Sequence, residues 1–243
     1  MPMIALQGIR GGCGATSLSA ALGWALNALG ESVLIIDFSP VNQLAAHFNL
    51  PINTSQGWAP ALFEQQAWQQ CAQRYQSGLD FLPFGALTPP QSAQLSVADG
   101  DFAAPLLQAL PALKTHYQWI VLDIPADLLP WQRSFIAAAD RLLQVLTLDA
   151  NCQLRLHHAR ISPHTLFLIN QFNANSQLQQ DLHQLWISSL KNLIPQVIHR
   201  DEALAEALMM KQPVGEYRPH ALASEEINTL ANWLLLNVAG GAA

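Results

Sequence analysis

The stretch Met3-Ile4-Ala5-Leu6-Gln7-Gly8-Ile9-Arg10-Gly11-Gly12-Cys13-Gly14-Ala15-Thr16-Ser17-Leu18 joins a short apolar run to a glycine-rich turn and then to a helical pattern. The helix is legible because Leu18, Leu22, Ala25, Leu26 and Leu29 share one face and Gly30 follows them as a stop. A strand running directly into such a turn, and the turn into a helix, is the context of a phosphate-holding P-loop. Glycines let the chain turn so that successive backbone N–H groups converge on phosphate oxygens, and the helix adds its positive N-terminal end. Arg10, Gly11, Gly12, Cys13, Gly14, Ala15, Thr16 and Ser17 are therefore the candidate nucleotide contacts, with ATP as the ligand. Thr16 falls where a hydroxyl would ligate magnesium.

Outward from this turn, apolar runs recur at Met3–Ile9, Ser32–Phe38, Gly78–Phe84, Gln118–Ile124, Leu142–Leu148, Thr165–Asn170 and Pro195–His199, with helical patterns between them. Strands alternating with helices predict an α/β fold: a mostly parallel central sheet of about seven strands, covered by helices on both faces. The 243 residues, 51% of them hydrophobic, suit one such domain spanning 1–243. Two runs end in an acid, Asp37 after Val33-Leu34-Ile35-Ile36 and Asp123 after Trp119-Ile120-Val121-Leu122. Strand C-termini of a parallel sheet line the ligand crevice, so both aspartates are candidates to hold magnesium-bound waters beside Thr16 and, with them, the candidate catalytic groups. Asp149 ends another apolar strand at the same edge, where it either contacts a phosphate or a partner or caps the helix that follows.

Three further segments carry expectations about packing. Trp68, Cys71 and Tyr75 stand at helical spacing within Ala61–Tyr75, and Leu87-Thr88-Pro89-Pro90-Gln91-Ser92, within Gly85–Gly100, reads as a surface loop. A C-terminal helix over about Ala223–Val238 has Ile227, Leu230, Ala231 and Leu234 on one face; with no Lys or Arg after Arg218 it lacks the cationic face of a membrane-lying helix.

Composition narrows the partners. Eleven Lys plus Arg, spread singly in a chain of net charge −6, form no basic tract, which argues against nucleic acid. No apolar stretch reaches the roughly 18 residues of a membrane span, and the start lacks a leader pattern, so a cytoplasmic location is expected. Three cysteines far apart in sequence, Cys13, Cys71 and Cys152, suggest neither a disulfide framework nor a metal site. The eight histidines lack metal-ligand spacing, and Ser17 and Ser19 lack the context of an esterase nucleophile.

The turn resembles the deviant Lys-Gly-Gly-x-Gly-Lys-Thr motif of the MinD/ParA group of P-loop ATPases. The likeness continues through Asp37-Phe38-Ser39-Pro40-Val41-Asn42, Asp123-Ile124-Pro125-Ala126, Asn170, Ile198-His199-Arg200-Asp201-Glu202-Ala203 and Lys211-Gln212-Pro213-Val214-Gly215. Gln56-Gly57-Trp58-Ala59, Asp149-Ala150-Asn151-Cys152 and the run Ile198 to Tyr217 followed by Leu230-Ala231-Asn232-Trp233 resemble, within that group, a cellulose-biosynthesis family of accessory subunits in bacterial cellulose secretion. The resemblance implies adenine reading by Asn170, with Ile198, Arg200 and Asp201 as further nucleotide contacts. It also implies ATP and Mg²⁺ as cofactors and a homodimer bridged by ATP. A small companion subunit and cytoplasmic components of the synthase complex are the implied partners, through which the protein would sit at the inner membrane.

The motif departs from its group at three places. Arg10 stands where the group's signature lysine reaches the partner's nucleotide, and it keeps the charge. Ala15 occupies the ordinary P-loop lysine position, and Ser39 stands where the group has a second aspartate that positions the attacking water. These losses predict a site that holds ATP and cleaves it slowly or not at all. The alternatives are a partition-type ATPase cycling on DNA, which would need a basic patch, and a small-molecule kinase, which would need the missing lysine.

Overall fold

The computed structural model describes residues 1–51, 54–98 and 101–239. In chain order the elements are β1 (Met3–Gly8), α1 (Ala15–Ala28), β2 (Val33–Asp37), α2 (Gln43–His47), α3 (Trp58–Phe63), β3 (Gln73–Gln76), β4 (Leu79–Leu82) and α4 (Pro89–Val97). They continue as α5 (Ala104–His116), β5 (Trp119–Ile124), α6 (Arg133–Ala138), β6 (Arg141–Leu146), α7 (Ala150–His158), β7 (Thr165–Phe172), α8 (Gln177–Ser189), β8 (Leu193–His199), α9 (Glu202–Met209), α10 (Val214–Tyr217) and α11 (Leu222–Leu234). The sheet order is β3-β4-β2-β5-β1-β6-β7-β8, parallel throughout except for the antiparallel edge pair β3–β4.

Side chains alternate across this sheet and divide the core in two. Ile4, Leu6, Val33, Ile35, Trp119 and Val121 face the layer that holds α1 and α11. Met3, Ala5, Leu34, Ile36, Ile120 and Leu122 face the opposite layer, with Trp58, Leu106, Leu110 and Phe135. Strands buried on both faces read as unbroken apolar runs, which is why seven of them stand out in the sequence. β1 lies at the centre, flanked by β5 and β6, so the turn that leaves its C-terminal end opens at the switch point where connections leave in opposite directions.

The seven expected strands are all present, and the eighth, β3, comes from a segment with helical spacing. Ala61–Tyr75 is not one helix: α3 ends at Phe63, Gln65 adopts a positive φ of 55°, Trp68–Cys71 forms a 3₁₀ turn, and the chain then pairs with β4. Long-range packing overrides the local period there, because the Tyr75 ring stacks edge-on to Phe48 and Trp24 and its hydroxyl meets Glu216. The Thr88-Pro89-Pro90-Gln91 stretch is also not a loop. Thr88 Oγ1 accepts from the Gln91 amide and the Gln91 side chain accepts from the Thr88 amide, a capping box with proline in the first turn that starts α4. Gly100, the expected end of that loop, lies outside the described residues. The C-terminal helix keeps its predicted buried face of Ile227, Leu230, Ala231 and Leu234, and passes into a π-helical turn over Leu235–Ala239. Among the described residues, no helix is long and apolar enough to cross a membrane.

Candidate functional site

The turn after β1 is built by two left-handed glycines, Gly12 at φ 81° and Gly14 at φ 84°, the second of which is the N-cap of α1. α1 begins with no acidic residue and no side-chain cap, so its first amides are free to meet an anion. Gly14 is required for a second reason. A Cβ there would lie 2.6 Å from Asn170 Nδ2, which itself donates to the Cys13 carbonyl at 2.8 Å. β7 thereby pins the turn, and Gln171 adds a second tie by donating to the Gly12 carbonyl at 3.0 Å.

Two cavities meet at Gly14 and Ser17. One, of about 290 Å³, is lined by the turn from Arg10 to Ser17 together with Ser39, Gln43 and Ile124–Ala126. The other, of about 430 Å³, is lined by Asn170, Gln171, His199, Arg200, Glu202 and Leu208 among others. Asn170 is 2% exposed, and its Oδ1 is buried without a partner at this junction. An elongated ligand with an anionic end and a flat end bearing an N–H donor fits this pair of spaces.

Beneath the first cavity Asp37 and Asp123 are direct neighbours in the β2–β5 register, both fully buried. Asp37 Oδ1 accepts from the Ser39 amide at 2.7 Å, and Asp123 Oδ1 accepts from Ser19 Oγ at 2.9 Å. Each leaves its Oδ2 buried with no partner. Burial, and then the neighbouring Asp123, push the Asp37 carboxyl well above its ordinary range. Burial likewise raises Asp123 to about 6, against the hydroxyls of Ser19 and Thr16, which favour its ionised form. Two orphaned carboxylate oxygens, with the Thr16 hydroxyl beside Asp123, are the donor set of a hard divalent cation such as Mg²⁺. Aromatic packing fixes this floor: Trp58 Nε1 donates to the Asp37 carbonyl at 2.7 Å, Gln132 Nε2 donates to the Phe38 carbonyl at 2.8 Å, and the Phe38 ring is enclosed by Trp58, Trp131 and Phe135.

The model of the cellulose biosynthesis protein BcsQ family matches residues 1–235. The chain belongs to the BcsQ family. It is 47% identical over 245 residues to the BcsQ of Salmonella typhimurium and 45% identical over 247 residues to that of Escherichia coli, in each case with 99% of this chain and 96% of the relative aligned. Among solved structures it is similar to the MinD of Pyrococcus horikoshii, complexed with Mg-ADP, with a TM-score of 0.77 at 20% identity over 99% of this chain and 97% of that one. A ParA family ATPase from Chlorobium tepidum gives a TM-score of 0.76 at 20% identity, over 95% and 98%. The fold is thus that of MinD/ParA P-loop proteins.

In this BcsQ-family chain Arg10 folds back onto its own subunit. Its guanidinium donates to Asp149 Oδ2 at 2.6 Å, Thr147 Oγ1 at 3.0 Å and the Gly11 carbonyl at 2.8 Å. Burial works against ionisation of Asp149, but the Thr147 hydroxyl, Arg10 and the Cys152 amide together bring it down to about 2. Of the roles left open by its sequence position Asp149 fills the capping one, its Oδ1 accepting from the Cys152 amide at 2.9 Å at the start of α7, while its Oδ2 holds Arg10 of the same chain.

The structure brings the residues from Arg10 to Ser17, and Asn170, to the lining of the joined cavities, with Asp37 and Asp123 buried just before the lining residues Ser39 and Ile124. Ile198 does not reach them: it is fully buried in the core, and the next residue, His199, lines the second cavity instead. Asp201 borders that cavity but spends both oxygens on backbone amides, Ala203 at 2.9 Å and Ala223 at 3.0 Å, which tie α9 to α11. Arg200 is exposed and lies 3.5 Å from Glu202. Ser19 and Gln171 join the site without standing among the residues its sequence motifs point to. Ser19 was legible, being one helical turn beyond Thr16 on the same face, whereas Gln171 and Thr147 are brought to the turn by sheet order alone. Cys13 and Cys152, 139 positions apart in the sequence, also meet, at Thr147.

Proposed function

We propose that this single nucleotide-binding unit holds ATP with Mg²⁺, dimerises around the nucleotide, and serves assembly or regulation of the bacterial cellulose synthase secretion complex. The observation that carries the nucleotide reading is the pair of orphaned buried oxygens of Asp37 and Asp123 beneath a glycine turn that opens into two joined cavities. Backbone amides from Gly11 to Thr16 would hold the phosphates, and Thr16, with Asp37 and Asp123 through water, would hold the cation. The bound cation would neutralise phosphate charge. Asn170 Oδ1 would accept from the exocyclic amino group of adenine, and Arg200, which lines the second cavity, would border the base. Support for Mg²⁺ also comes from the P. horikoshii MinD, solved with Mg-ADP.

Hydrolysis is slow or absent in this reading. Ala15 lines the first cavity with a methyl group where a cation would stabilise the phosphoryl transition state, a contribution worth about 10³ to 10⁵ in rate for arginine fingers. Ser39 accepts the Val41 amide at 3.3 Å and offers no carboxylate to orient water. The dimer is bridged by Arg10 once it leaves Asp149. The cellulose role follows from membership of the BcsQ family, and the partners are a small companion subunit and cytoplasmic synthase components, which would bring a cytoplasmic protein to the inner membrane.

Titrating purified protein with ATP by calorimetry, with and without Mg²⁺, tests the site, and phosphate release at saturating ATP tests turnover. Binding that depends on Mg²⁺, with turnover well below one per second, is the expected pair of results; steady turnover near one per second refutes the holding role. Co-purification with synthase subunits that is lost on Arg10→Glu supports ATP-bridged assembly, and unchanged association contradicts it.

A further inference from the structure

The sequence separates Cys13 and Cys152, but the central strands bring their thiols into one buried pocket under the glycine turn. Thr147 Oγ1 stands 3.2 Å from Cys152 Sγ and 3.9 Å from Cys13 Sγ, so one hydroxyl touches both sulfurs. Both residues are at most 1% exposed, and Cys13 borders the first cavity, the side from which a small reagent would approach. Cys152 sits in the first turn of α7, where the helix end favours a thiolate; Cys13 and the Thr147 hydroxyl lower its pKa, against burial and the Asp149 carboxylate 3.8 Å away. Cys71 is only partly buried and lies outside this pocket.

We propose that Cys13 and Cys152 are a redox modification site, a reversible disulfide that clamps the nucleotide-holding turn to α7. The oxidant is hydrogen peroxide. Cys152 sulfur attacks one peroxide oxygen, the O–O bond breaks, and the departing hydroxide takes up the thiol proton as water, leaving a sulfenic acid. Cys13 sulfur then attacks the Cys152 sulfur, the S–O bond breaks, and the leaving hydroxide takes the Cys13 proton as a second water. Two thiols and one peroxide thus give one disulfide and two waters, with two electrons passed from sulfur to oxygen.

The consequence for the site follows from lengths. A disulfide needs about 2.05 Å between sulfurs, so non-bonded thiols must close up by more than an ångström. Cys13 lies between Gly12 and Gly14, and its carbonyl is held by Asn170. Pulling its side chain toward α7 therefore shifts the amides that face the phosphates, and it displaces Thr147 Oγ1 from Arg10 and Asp149. Oxidised protein is expected to bind ATP about tenfold more weakly or worse, and bound ATP is expected to shield the pair. This inference rests on the ATP reading given above.

The test treats the purified full chain with excess peroxide, with and without Mg-ATP, and maps peptides by mass spectrometry without reduction. A Cys13–Cys152 linked peptide, lighter than the two free peptides by two hydrogens and suppressed by Mg-ATP, is the expected product. Calorimetry should show the affinity loss, its reversal by dithiothreitol, and its absence in Cys13→Ser and in Cys152→Ser. Recovery of both cysteines as free thiols after peroxide in the absence of nucleotide overturns the proposal, as does a crosslink that leaves ATP affinity within about twofold. Failure of the reduced protein to bind ATP sinks the nucleotide reading instead, while the peptide map still decides the pairing.

Discussion

Replacing Asp123 by Asn stabilises the protein when it holds no nucleotide and removes its response to Mg²⁺. The carboxyl is buried beside Asp37, and its folded-state pKa is about 6 against an ordinary 3.8. A raised carboxylate favours folding while it stays protonated, so this contribution is complete below about pH 4 and lost as pH rises through about 6. At pH 7 the folded state then carries an ionisation penalty of roughly 3 kcal/mol. Asn escapes it, keeps an oxygen for the Ser19 hydroxyl, and offers an N–H toward the orphaned Asp37 Oδ2. A gain of roughly 2–3 kcal/mol in a chain of this size raises Tm by roughly 5–10 °C. Calorimetric melting at pH 7 and at pH 4 measures this, and the advantage of the variant should vanish at the acid end. Mg-ATP should raise the parental Tm and leave the variant close to its own baseline with ATP alone. An Asp123→Asn protein less stable than its parent at pH 7 without nucleotide, or one that gains as much from Mg²⁺ as the parent, would refute the account of these oxygens as a cation site.

Three more outcomes follow from the same geometry. Ala15→Lys restores a charged hydrogen bond to the phosphates, so ATP affinity by calorimetry should rise about 10- to 150-fold; adding Ser39→Asp should bring measurable phosphate release where Ala15→Lys alone gives little. Gly14→Ala sets a Cβ 2.6 Å from Asn170 Nδ2 at a φ of 84°, so melting should show a loss of about 1–3 kcal/mol and ATP affinity should fall more than about tenfold. Asp149→Asn keeps an oxygen for the Cys152 amide but drops the charge that holds Arg10 at 2.6 Å. Light scattering should then find ATP-dependent dimers at lower protein concentration than for the parent, with stability reduced by less than about 1 kcal/mol.

Much of the fold is written in local pattern. Strands such as Val33–Asp37 and Trp119–Ile124 are buried on both faces, which leaves apolar runs that need no tertiary knowledge to find. The phosphate end of the site is equally legible, because a turn of glycines between a strand and a helix is a local backbone device. β3 was hidden because Tyr75 answers to Phe48, Trp24 and Glu216 rather than to its sequence neighbours. Ile198 and Asp201 lie in a stretch that resembles nucleotide contacts, yet burial takes one and two backbone amides take the other.

A glycine turn made for phosphate, two aspartates at strand ends, and the absence of a lysine at position 15 are all local features of the chain. Those features depend on residues within a few positions of each other. Folding alone makes the two aspartates adjacent and each short of one partner, sets Arg10 on Asp149, and brings Cys13 and Cys152 to the same Thr147 hydroxyl. Sheet order explains this: β2 pairs with β5, and β1 lies between β5 and β6, so residues 86 to 139 positions apart converge under one turn, at distances no spacing along the chain encodes.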